Sequence, residues 1–499
     1  MAIMHQQIPK EWKEREKLRD KGQFWTPDWV AEAMISYVKK NARLIFDPGT
    51  GTGAFFRALK KLDKTREIRF YGIDIDSKVI QAEIYNDQLC RVEVRDFIMN
   101  PPQKKFEAII ANPPYIRHHR IDKETKLLLR QLSKKITETV IDGRAGYHIY
   151  FLLRALDLLE DNGRLAFIMP ADTCEGAFAK KLWNWITKNY CLEGVVTFDE
   201  NATPFPAIDT NAMIFLIRKN VPKKEIFWIR VKEAFTNDLY HLIESDFENI
   251  VCDDLHVTIR YLSEALDTGL SRPEQQNNNF KYHLRDFATV MRGIASGANE
   301  FFFLTKEEAR ELQIPNNFLK LAIGRTRDIN DNIITKNHIL ELEKKGRPTL
   351  LLSINERPEK FPKSVIDYLN KGVILGLPNH SLIKQRKPWY KMENRKIPPL
   401  LFTYLGRRNS RFIKNEAAVV PLTGFLCVYP KKSTEKYVNA LWEILNHSET
   451  LKNLLLVGKS YGSGAVKVEP RNLERLPIPE ELVKKYSLQR EQEKLNVFI

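Results

Sequence analysis

The chain has 499 residues, of which 79 are Lys or Arg and 63 are Asp or Glu, so its formal net charge is +16. This length suits two or three domains, and the positive charge favours a nucleic-acid partner over a membrane. We find no apolar run of about 18 residues and no apolar signal core near the start, and therefore expect a soluble, cytoplasmic protein. The five cysteines lack Cys-x-x-Cys spacing, so no metal site is expected.

An aromatic segment, Phe24-Trp25-Thr26-Pro27, precedes the first predicted helix. Thr26 is the predicted N-cap and Pro27 the predicted first helical residue, because both residue types are preferred at those positions. The free N–H groups of such a helix start could hold a carboxylate. A plain capped helix is the alternative interpretation.

A glycine-rich segment follows the first predicted strand, Arg43 to Phe46. It begins at Asp47 and has glycines at alternate positions: Gly49, Gly51 and Gly53. Glycines allow a tight turn and a close approach to a ligand, and Asp47 could bind an ammonium group. The spacing is neither the Walker pattern nor the dinucleotide fingerprint. A purely structural turn is the alternative.

Two further predicted strands, Ile68 to Ile75 and Arg91 to Arg95, are each associated with an acidic residue at the end. Asp74 lies where an acidic side chain binds ribose hydroxyls in nucleotide-binding folds, and Asp76 is the second choice. Asp96 could accept a hydrogen bond from an adenine amine, while the adjacent Phe97 could pack on the base. Each acid taken alone could also be a solvated turn residue.

The hydrophobic run from Phe106 to Ala111 predicts a buried strand, which stops at Asn112-Pro113-Pro114-Tyr115 because proline cannot continue a ladder. Ligands bind beyond the carboxyl ends of strands in open α/β sheets. The Asn112 oxygen and the Pro113 carbonyl could accept both hydrogens of an exocyclic amine, and Tyr115 could stack on its ring. An Asn that bonds its own backbone in a turn is the alternative.

The segment from Ile116 to Gly143 has five basic residues among its first eight, including Arg117. It predicts a mobile loop that contacts phosphates, although a solvated basic surface is the alternative. Further strands are expected at 163–170, 195–198 and 212–217, which brings the count to seven.

The composition changes after residue 240, and we expect domains at 1–240 and 241–499 with a polar linker or loop at 271–279. Basic clusters recur in the second half, and Arg, Lys, Asn and Ser are residues that read base edges or clamp phosphates. Together with Arg117, the candidate DNA contacts are Arg407, Arg408 and Lys459.

Residues 23 to about 220 resemble an S-adenosylmethionine-dependent methyltransferase, and Asn112-Pro113-Pro114-Tyr115 resembles the motif of N6-adenine DNA methyltransferases. The motif order resembles the gamma group of that family. The resemblance implies an α/β fold, with a Rossmann-like seven-stranded catalytic domain followed by a mixed α+β target-recognition domain. It also implies a methionine-end site at Phe24, Thr26 and Pro27, cofactor contacts at Asp47 and Gly49 to Gly53, ribose binding by Asp74, and adenine binding by Asp96 and Phe97.

The implied reaction is direct attack of a flipped-out adenine N6 on the cofactor methyl group, with the base sandwiched between Tyr115 and Phe205. The chain has no Pro-Cys dipeptide, which disfavours a cytosine-C5 mechanism. The implied partner is double-stranded DNA, and a cognate restriction endonuclease would act on the same site without needing to bind a monomeric methyltransferase. Residues 21–27 resemble methyltransferases paired with PstI-type restriction enzymes, which implies CTGCAG as a target.

Three other functions compete with this one. Enzymes resembling ribosomal-RNA or protein-glutamine amine methyltransferases share Asn-Pro-Pro-Tyr, but would not need a long basic second half. A catalytically inactive, sequence-specific DNA-binding subunit is disfavoured by the intact set of Asp47, Asp74, Asp96 and Asn112. A fused restriction–modification enzyme would need a nuclease domain ahead of Phe24, where only about twenty residues stand.

Overall fold

A nine-stranded sheet organises the first half of the protein, and its strand order is β3-β2-β1-β4-β5-β7-β6-β8-β9. The computed structural model describes residue 22 and residues 24–488, apart from 82–83, 85, 175–177, 207–210, 249–252, 273–279, 356–360, 404–409 and 461–465. The strands are β1 Leu44–Asp47, β2 Arg69–Asp74, β3 Cys90–Val94, β4 Phe106–Ala111, β5 Leu159–Pro170, β6 Cys191–Phe198, β7 Ala212–Arg218, β8 Glu225–Val231 and β9 Leu255–Tyr261. Strands β1 to β5 run parallel, whereas β7 is antiparallel to both of its neighbours.

Helices cover both faces of this sheet. They are α1 Asp28–Val38, α2 Ala54–Leu62, α3 Lys123–Thr137, α4 Tyr147–Asp157, α5 Ala179–Asn189, α6 Asp238–Glu244 and α7 Leu262–Thr268. Alternate residues of β4 face opposite sides, so Ile109 packs in the core with α4 and Ile110 packs in the core with α1. A strand buried on both faces reads as a continuous apolar run, which is why β4 was predictable from the sequence.

The expected seven strands are present, but the sheet has two more. β8 pairs in parallel with β6, and β9 pairs antiparallel with β8. The boundary expected after residue 240 separates these two strands and is wrong for this fold. The chain divides into two compact units, one made of Met1–Gln276 with Tyr461–Ser463 and the other of Asn277–Ser460 with Gly464–Ile499.

A fully buried arginine joins β9 to the residues that follow it in the chain. Arg260 on β9 has no solvent exposure. Its guanidinium forms an ion pair with Glu264 at 2.8 Å and donates to Thr268 Oγ1 at 2.7 Å and to the Arg272 carbonyl. A buried charge is tolerated only when it is paired and hydrogen-bonded, so residues 260–272 depend on one another. The pairing of β9 with β8 places them in the first unit.

The basic segment after Tyr115 is mostly helical, which corrects the expectation of a mobile loop. Asp122 caps α3 by accepting from the Thr125 N–H at 2.8 Å. Leu129 and Leu132 on the inner side of α3 are buried in the core. The loop was predicted from the charged residues, but these apolar contacts and the Asp122 cap stabilise a helix instead.

The second unit is mixed α+β, with a five-stranded sheet and a four-stranded sheet among short helices. Its strands are β10 Tyr282–His283, β11 Ala288–Arg292, β12 Phe303–Leu304, β13 Leu319–Ile323, β14 Ile333–Ile334, β15 Leu350–Leu352, β16 Leu400–Thr403, β17 Phe412–Asn415, β18 Val420–Pro421, β19 Phe425–Pro430, β20 Lys459–Ser460, β21 Val466–Lys467 and β22 Pro477–Ile478. Its helices are α8 Asn299–Phe302, α9 Lys306–Glu311, α10 Lys336–Lys344, α11 Lys363–Ile374, α12 Glu435–Asn446, α13 Ser448–Lys452, α14 Leu454–Val457, α15 Pro470–Leu473 and α16 Glu480–Lys485. In the part of the chain that the structure describes, none of the helices combines the length and the apolar character needed to span a bilayer.

Candidate active site

Four polar side chains predicted from the sequence lie along one edge of the large sheet. β3, β2, β1 and β4 are neighbours in that order and run parallel, so their carboxyl ends meet at the same edge. Asp74 and Asp47 end β2 and β1, while Asp96 and Asn112 closely follow β3 and β4. The sheet topology therefore brings together residues that are separated by up to 65 positions in the chain.

The side chain of Asn112 is fixed in one orientation. Its Nδ2 donates to the carbonyl oxygen of Phe24 at 2.7 Å and to Thr26 Oγ1 at 3.1 Å. A carbonyl oxygen can only accept, so the nitrogen must face Phe24 and the oxygen must face the other way. Asn112 Oδ1 is buried and has no hydrogen-bond partner among the described residues. The amide therefore presents a buried acceptor that has no partner among the described residues.

Thr26 does not cap the first helix, which is a correction to the sequence analysis. The helix begins at Asp28, its N-cap residue is Pro27, and no side chain caps it. The Thr26 hydroxyl is instead an acceptor for the Asn112 amide. Neither Thr26 nor Pro27 lines the cavity described below, so their contribution to this site is through the position of Asn112 and the start of α1.

Asp47 is a fully buried carboxylate that has only one hydrogen-bonded oxygen. Oδ1 accepts from the Gly49 N–H at 3.0 Å, while Oδ2 has no partner among the described residues. Burial raises the pKa of Asp47 well above its ordinary value, and the nearby Asp74 carboxylate raises it further. A cationic ligand group would relieve this desolvation, so Asp47 suits the ammonium group that the sequence analysis assigned to it.

Asp74 holds the glycine loop in place. Its Oδ2 accepts from the Gly51 N–H at 2.8 Å, and its Oδ1 accepts from the Asp76 N–H at 2.9 Å. A carboxylate has about four acceptor positions, so further hydrogen bonds to ribose hydroxyls remain open to it. Gly53 has a positive φ of 77°, a backbone conformation that is strained for residues with a side chain, so the end of the loop favours glycine.

A cavity of about 240 Å³ lies beside these residues. Its lining includes the predicted residues Phe24, Gly49, Gly51, Asp74, Asp96, Phe97 and Asn112, together with Pro114. Trp25, Ile75, Val79, Arg95, Ile116, Tyr147 and Phe151 also line it, although the sequence analysis gave none of them a role. Asp96 Oδ1 accepts from the Ile98 and Met99 N–H groups at 2.8 and 3.0 Å, which holds the turn that carries Phe97. Apart from Trp25, the unassigned residues follow strand ends or lie on α4, so the sheet topology could have indicated several of them.

Tyr115 and Phe205 do not form the expected sandwich in this structure. Their ring centroids are 6.3 Å apart and the rings meet edge to face at 81°. Phe24 packs against both rings, with centroids 5.3 Å from Tyr115 and 6.0 Å from Phe205. A planar base between two parallel rings needs a spacing of about 7 Å, since each contact takes about 3.5 Å. The aromatic cluster of Phe24, Tyr115 and Phe205 is therefore closed.

Tyr115 is anchored at both ends. Its N–H donates to the Gly22 carbonyl at 3.0 Å, and its hydroxyl donates to the Ile168 carbonyl at 3.0 Å. Gly22 has a φ of 62°, and a Cβ there would lie 2.6 Å from the Tyr115 nitrogen. The close approach of these two segments therefore requires glycine at position 22.

His148 is a buried residue near Tyr115 that the sequence analysis did not identify. Its ring centroid lies 6.1 Å from that of Tyr115, and neither ring nitrogen has a hydrogen-bond partner among the described residues. Burial lowers the pKa of His148 to about 4, so the ring is neutral at physiological pH. Its place on the apolar side of α4 resembles that of an ordinary core residue, and no sequence signal distinguished it.

Only some of the four candidate DNA contacts lie in the part of the chain that the structure describes. Arg117 is exposed and precedes a short 3-10 helix, His118–Arg120. Arg407 and Arg408 lie outside the described residues. The backbone of Lys459 is in β20, but its side chain is not described.

The residues present fit the S-adenosylmethionine that the resemblance implies. Asp47 Oδ2 is a buried acceptor that lacks a partner among the described residues, as the ammonium group requires. The nearest atom to a Cβ placed on Gly49 would be the Asn112 carbonyl oxygen at 3.8 Å, so the glycine leaves room beside the cavity. No group of His, Cys, Asp and Glu among the described residues is suited to hold a metal ion.

Two known families match successive parts of the chain. Residues 11–254 match the family N-6 DNA Methylase, and residues 269–497 match the family "Type II methyltransferase M.Eco57I, C-terminal domain". The Type II methyltransferase M.AccI of Acinetobacter calcoaceticus is 26% identical over 463 residues, which cover 91% of this chain and 84% of that protein. The Type II methyltransferase M.XamI of Xanthomonas campestris pv. amaranthicola is 23% identical over 472 residues, covering 92% and 85%.

A solved structure shares the fold across most of the chain. The type IIL restriction-modification enzyme MmeI, solved in complex with DNA, superposes with a TM-score of 0.55 at 13% sequence identity. The alignment covers 93% of this chain and 65% of the MmeI chain. The likeness concerns the fold, and it extends over both the large sheet and the second unit.

Proposed function

We propose that the chain transfers a methyl group from S-adenosylmethionine to N6 of adenine in double-stranded DNA, because residues 11–254 match the family N-6 DNA Methylase. The two relatives described above are named as type II methyltransferases, which supports modification of a specific site that protects it from a cognate restriction endonuclease.

One observation carries the proposal. The Asn112 amide is locked by Phe24 and Thr26 so that its oxygen is free, buried and directed away from those partners. A buried acceptor without a partner costs free energy, and a ligand that donates a hydrogen bond removes that cost. An exocyclic amine is such a donor. The position of Asn112 after β4, beside the cavity, lets the amine and the cofactor occupy adjacent space.

The side chains have separate roles in this reaction. S-adenosylmethionine supplies an electrophilic methyl group when it is bound. Asp47 would pair with its ammonium group, Asp74 with its ribose, and Asp96 and Phe97 with its adenine. Asn112 Oδ1 and the Pro113 carbonyl would accept the N6 hydrogens of the target adenine, which localises the lone pair on nitrogen and orients it for attack. Positioning and acceptor electrostatics then supply the rate enhancement.

The target adenine has to leave the duplex, because N6 inside the stack cannot reach the cofactor. Tyr115 is the anchored ring on which it would stack. Phe205 would cover the other face once the closed aromatic cluster opens. Pro113 and Pro114 keep the turn between Asn112 and Tyr115 stiff, since both have a fixed φ.

Two observations support DNA binding, one on each unit. The second unit matches the C-terminal domain of a type II methyltransferase, and we propose that it recognises the target sequence. In the first unit, the outer side of α3 exposes Lys123, Arg130, Lys134 and Lys135 directly after the Asn112 turn. These cations suit contacts to the phosphates next to the flipped base.

Finer assignments rest on the resemblance. We propose the gamma group from the order of the motifs, CTGCAG as the target from residues 21–27, and a monomeric, cytoplasmic enzyme whose restriction partner need not bind it. Arg117, Arg407, Arg408 and Lys459 remain proposed DNA contacts. The proposed domains follow the structural division at Gln276.

The proposal is tested with tritiated S-adenosylmethionine and three acceptors: mixed-sequence duplex DNA, ribosomal RNA and a protein extract. N6-methyladenine in DNA, absent with Asn112→Ala, is the expected result, and sequencing of the methylated DNA then maps the site. Label in RNA or protein would instead indicate an amine methyltransferase of another substrate class. Cofactor binding without transfer to any acceptor would indicate an inactive DNA-binding subunit.

A further inference from the structure

Phe24 borders two sites at once. Its ring packs against Tyr115 and Phe205 in the closed aromatic cluster. It also lines the cavity, together with Gly49 and Asp74. Of the three described rings in the cluster, Phe24 alone reaches that cavity lining. A change at either site therefore alters the surroundings of the same side chain.

The backbone of Phe24 is held while its ring has space on the cavity side. The Phe24 carbonyl accepts from Asn112 Nδ2 at 2.7 Å, which fixes the main chain beside the Asn112 turn. The side chain is only partly buried, unlike the fully enclosed residues of the adjacent core. Movement at this position is consequently a rotation of the ring and leaves the backbone in place.

Opening the base site requires the Phe24 ring to move. Tyr115 is held at its N–H and at its hydroxyl and is 8% exposed, so it stays in place. The base must fit where Phe24 and Phe205 now touch Tyr115. Phe205 is 4% exposed, whereas Phe24 is only partly buried and lines the cavity, so the Phe24 ring is the one that turns, and a bound cofactor would be its new neighbour.

Resting on the proposed function, we propose that Phe24 is a positioning residue that couples cofactor binding to base binding. Packing of the Phe24 ring on the bound cofactor favours the rotamer that leaves Tyr115 free. The cofactor-loaded protein therefore binds a duplex with a flipped base more tightly than the empty protein does. By thermodynamic linkage, the duplex tightens cofactor binding by the same factor.

The coupling is measured as the ratio of dissociation constants for a duplex selected by binding from random-sequence DNA, without and with saturating S-adenosylhomocysteine. The wild type is expected to bind about tenfold more tightly with S-adenosylhomocysteine. In Phe24→Leu the ratio is expected to fall to about one, because removal of the ring strengthens binding in the absence of cofactor. General damage to the fold would weaken that binding, so the direction separates the two effects.

Phe24→Met is a second variant in case Phe24→Leu fails to fold, and Phe227→Leu is the control. Phe227 is also a partly buried ring in the same core, where it stacks on Phe247 at 4.5 Å away from the cavity. The control should keep the wild-type ratio. A wild-type ratio near or below one, or a Phe24 variant that keeps the wild-type ratio, overturns the coupling.

The outcome for the proposed function is recorded separately. Methyl transfer by the wild type is measured on the same duplex and preparation. An active enzyme with no coupling refutes the role of Phe24 alone. A protein that binds S-adenosylhomocysteine and DNA cooperatively without transferring methyl groups refutes the proposed function while leaving the coupling intact.

Discussion

The side-chain nitrogen of Asn112 lies 2.7 Å from the carbonyl oxygen of Phe24, a residue 88 positions earlier in the chain. This hydrogen bond determines which end of the amide faces the cavity. The second acceptor, Thr26 Oγ1, secures the same orientation. The segment before α1 thus acts as the support for the residue that we propose to bind the reacting amine.

Thr26→Val should reduce methyl transfer without unfolding the protein. The substitution keeps the side-chain shape but removes one of two acceptors that hold Asn112, which corresponds to a loss of roughly 1 kcal/mol, or about fivefold in the single-turnover rate constant. Thr26→Ser keeps the hydroxyl and should restore most of the rate.

Thr197→Val is the control for this prediction. Thr197 also uses its hydroxyl in a side-chain to backbone hydrogen bond, to the Ile229 carbonyl at 3.2 Å, but it does not line the cavity. A Thr26→Val enzyme with an unchanged rate would show that Phe24 alone is sufficient to orient Asn112.

Asp47→Asn should increase the free energy of unfolding at pH 8. Burial raises the pKa of Asp47 in the folded protein, so the folded state binds a proton more tightly than the unfolded state does. This carboxylate therefore destabilises the fold progressively as the pH rises from its unfolded pKa to its folded pKa. The gain from Asp47→Asn should shrink in acid, as measured by urea unfolding at several pH values.

The same substitution should weaken S-adenosylmethionine binding. The neutral amide cannot pair with the ammonium group, so calorimetry should show a higher dissociation constant and less proton release on binding than in the wild type. Asp63→Asn is the control, because burial raises the pKa of Asp63 but hydrogen bonds from the Ile68 N–H, the Thr65 hydroxyl and neighbouring N–H groups together lower it below its ordinary value. It should lower stability at pH 8 and leave cofactor binding unchanged.

His148→Leu should remove part of the acid sensitivity of the fold. Burial lowers the pKa of His148 from an ordinary 6.5 to about 4. Because the unfolded state then binds a proton more readily than the folded state, the free energy of unfolding falls as the pH drops from the unfolded pKa toward 4, by roughly 3 kcal/mol in total. Urea unfolding at pH 7 and pH 4.5 should show a smaller difference for His148→Leu than for the wild type. His241→Leu is the control, because His241 is exposed. The prediction would be contradicted if the free energy of unfolding changed between the two pH values by the same amount in His148→Leu as in the wild type.

A triple substitution on α3 should weaken DNA binding in a salt-dependent way. Each phosphate contact that is lost from Lys123, Arg130 and Lys134 should reduce the slope of log Kd against log salt by about 0.9. Three Gln substitutions are compared with the same change at Lys180, Lys181 and Lys188, which are exposed on α5. Equal slopes for the two triple variants would place the DNA elsewhere.

Strand ends and their polar residues were predictable because they depend on local sequence. β4 is an apolar run that stops before two prolines, and Asp47 and Asp74 end the two strands around the glycine loop. These features require no knowledge of distant contacts. The match of the chain to the N-6 DNA Methylase family confirms the family that they suggested.

The contacts that were missed or wrongly predicted all join distant parts of the chain. The partner of Thr26 is 86 residues away, so local preference favoured a helix cap instead. The geometry of Tyr115 and Phe205 depends on Phe24, whose ring position has no sequence signature. Similarly, the segment that forms α3 was predicted to be a loop because of its charges, although Leu129 and Leu132 pack it against the core.

The contacts of the buried Arg260 guanidinium also limit where the chain can be truncated to leave a stable first unit. A chain shortened to residue 240 would lack β9 and leave the long, largely apolar strand β8 as the edge of the sheet. An unpaired edge of this kind is a template for aggregation. A chain that runs through residue 276 keeps β9 together with Thr268 and Arg272, the acceptors that hold Arg260. Expression of the first unit in soluble form should therefore depend on those last 36 residues, although the ones that the structure describes contribute no side chain to the cavity.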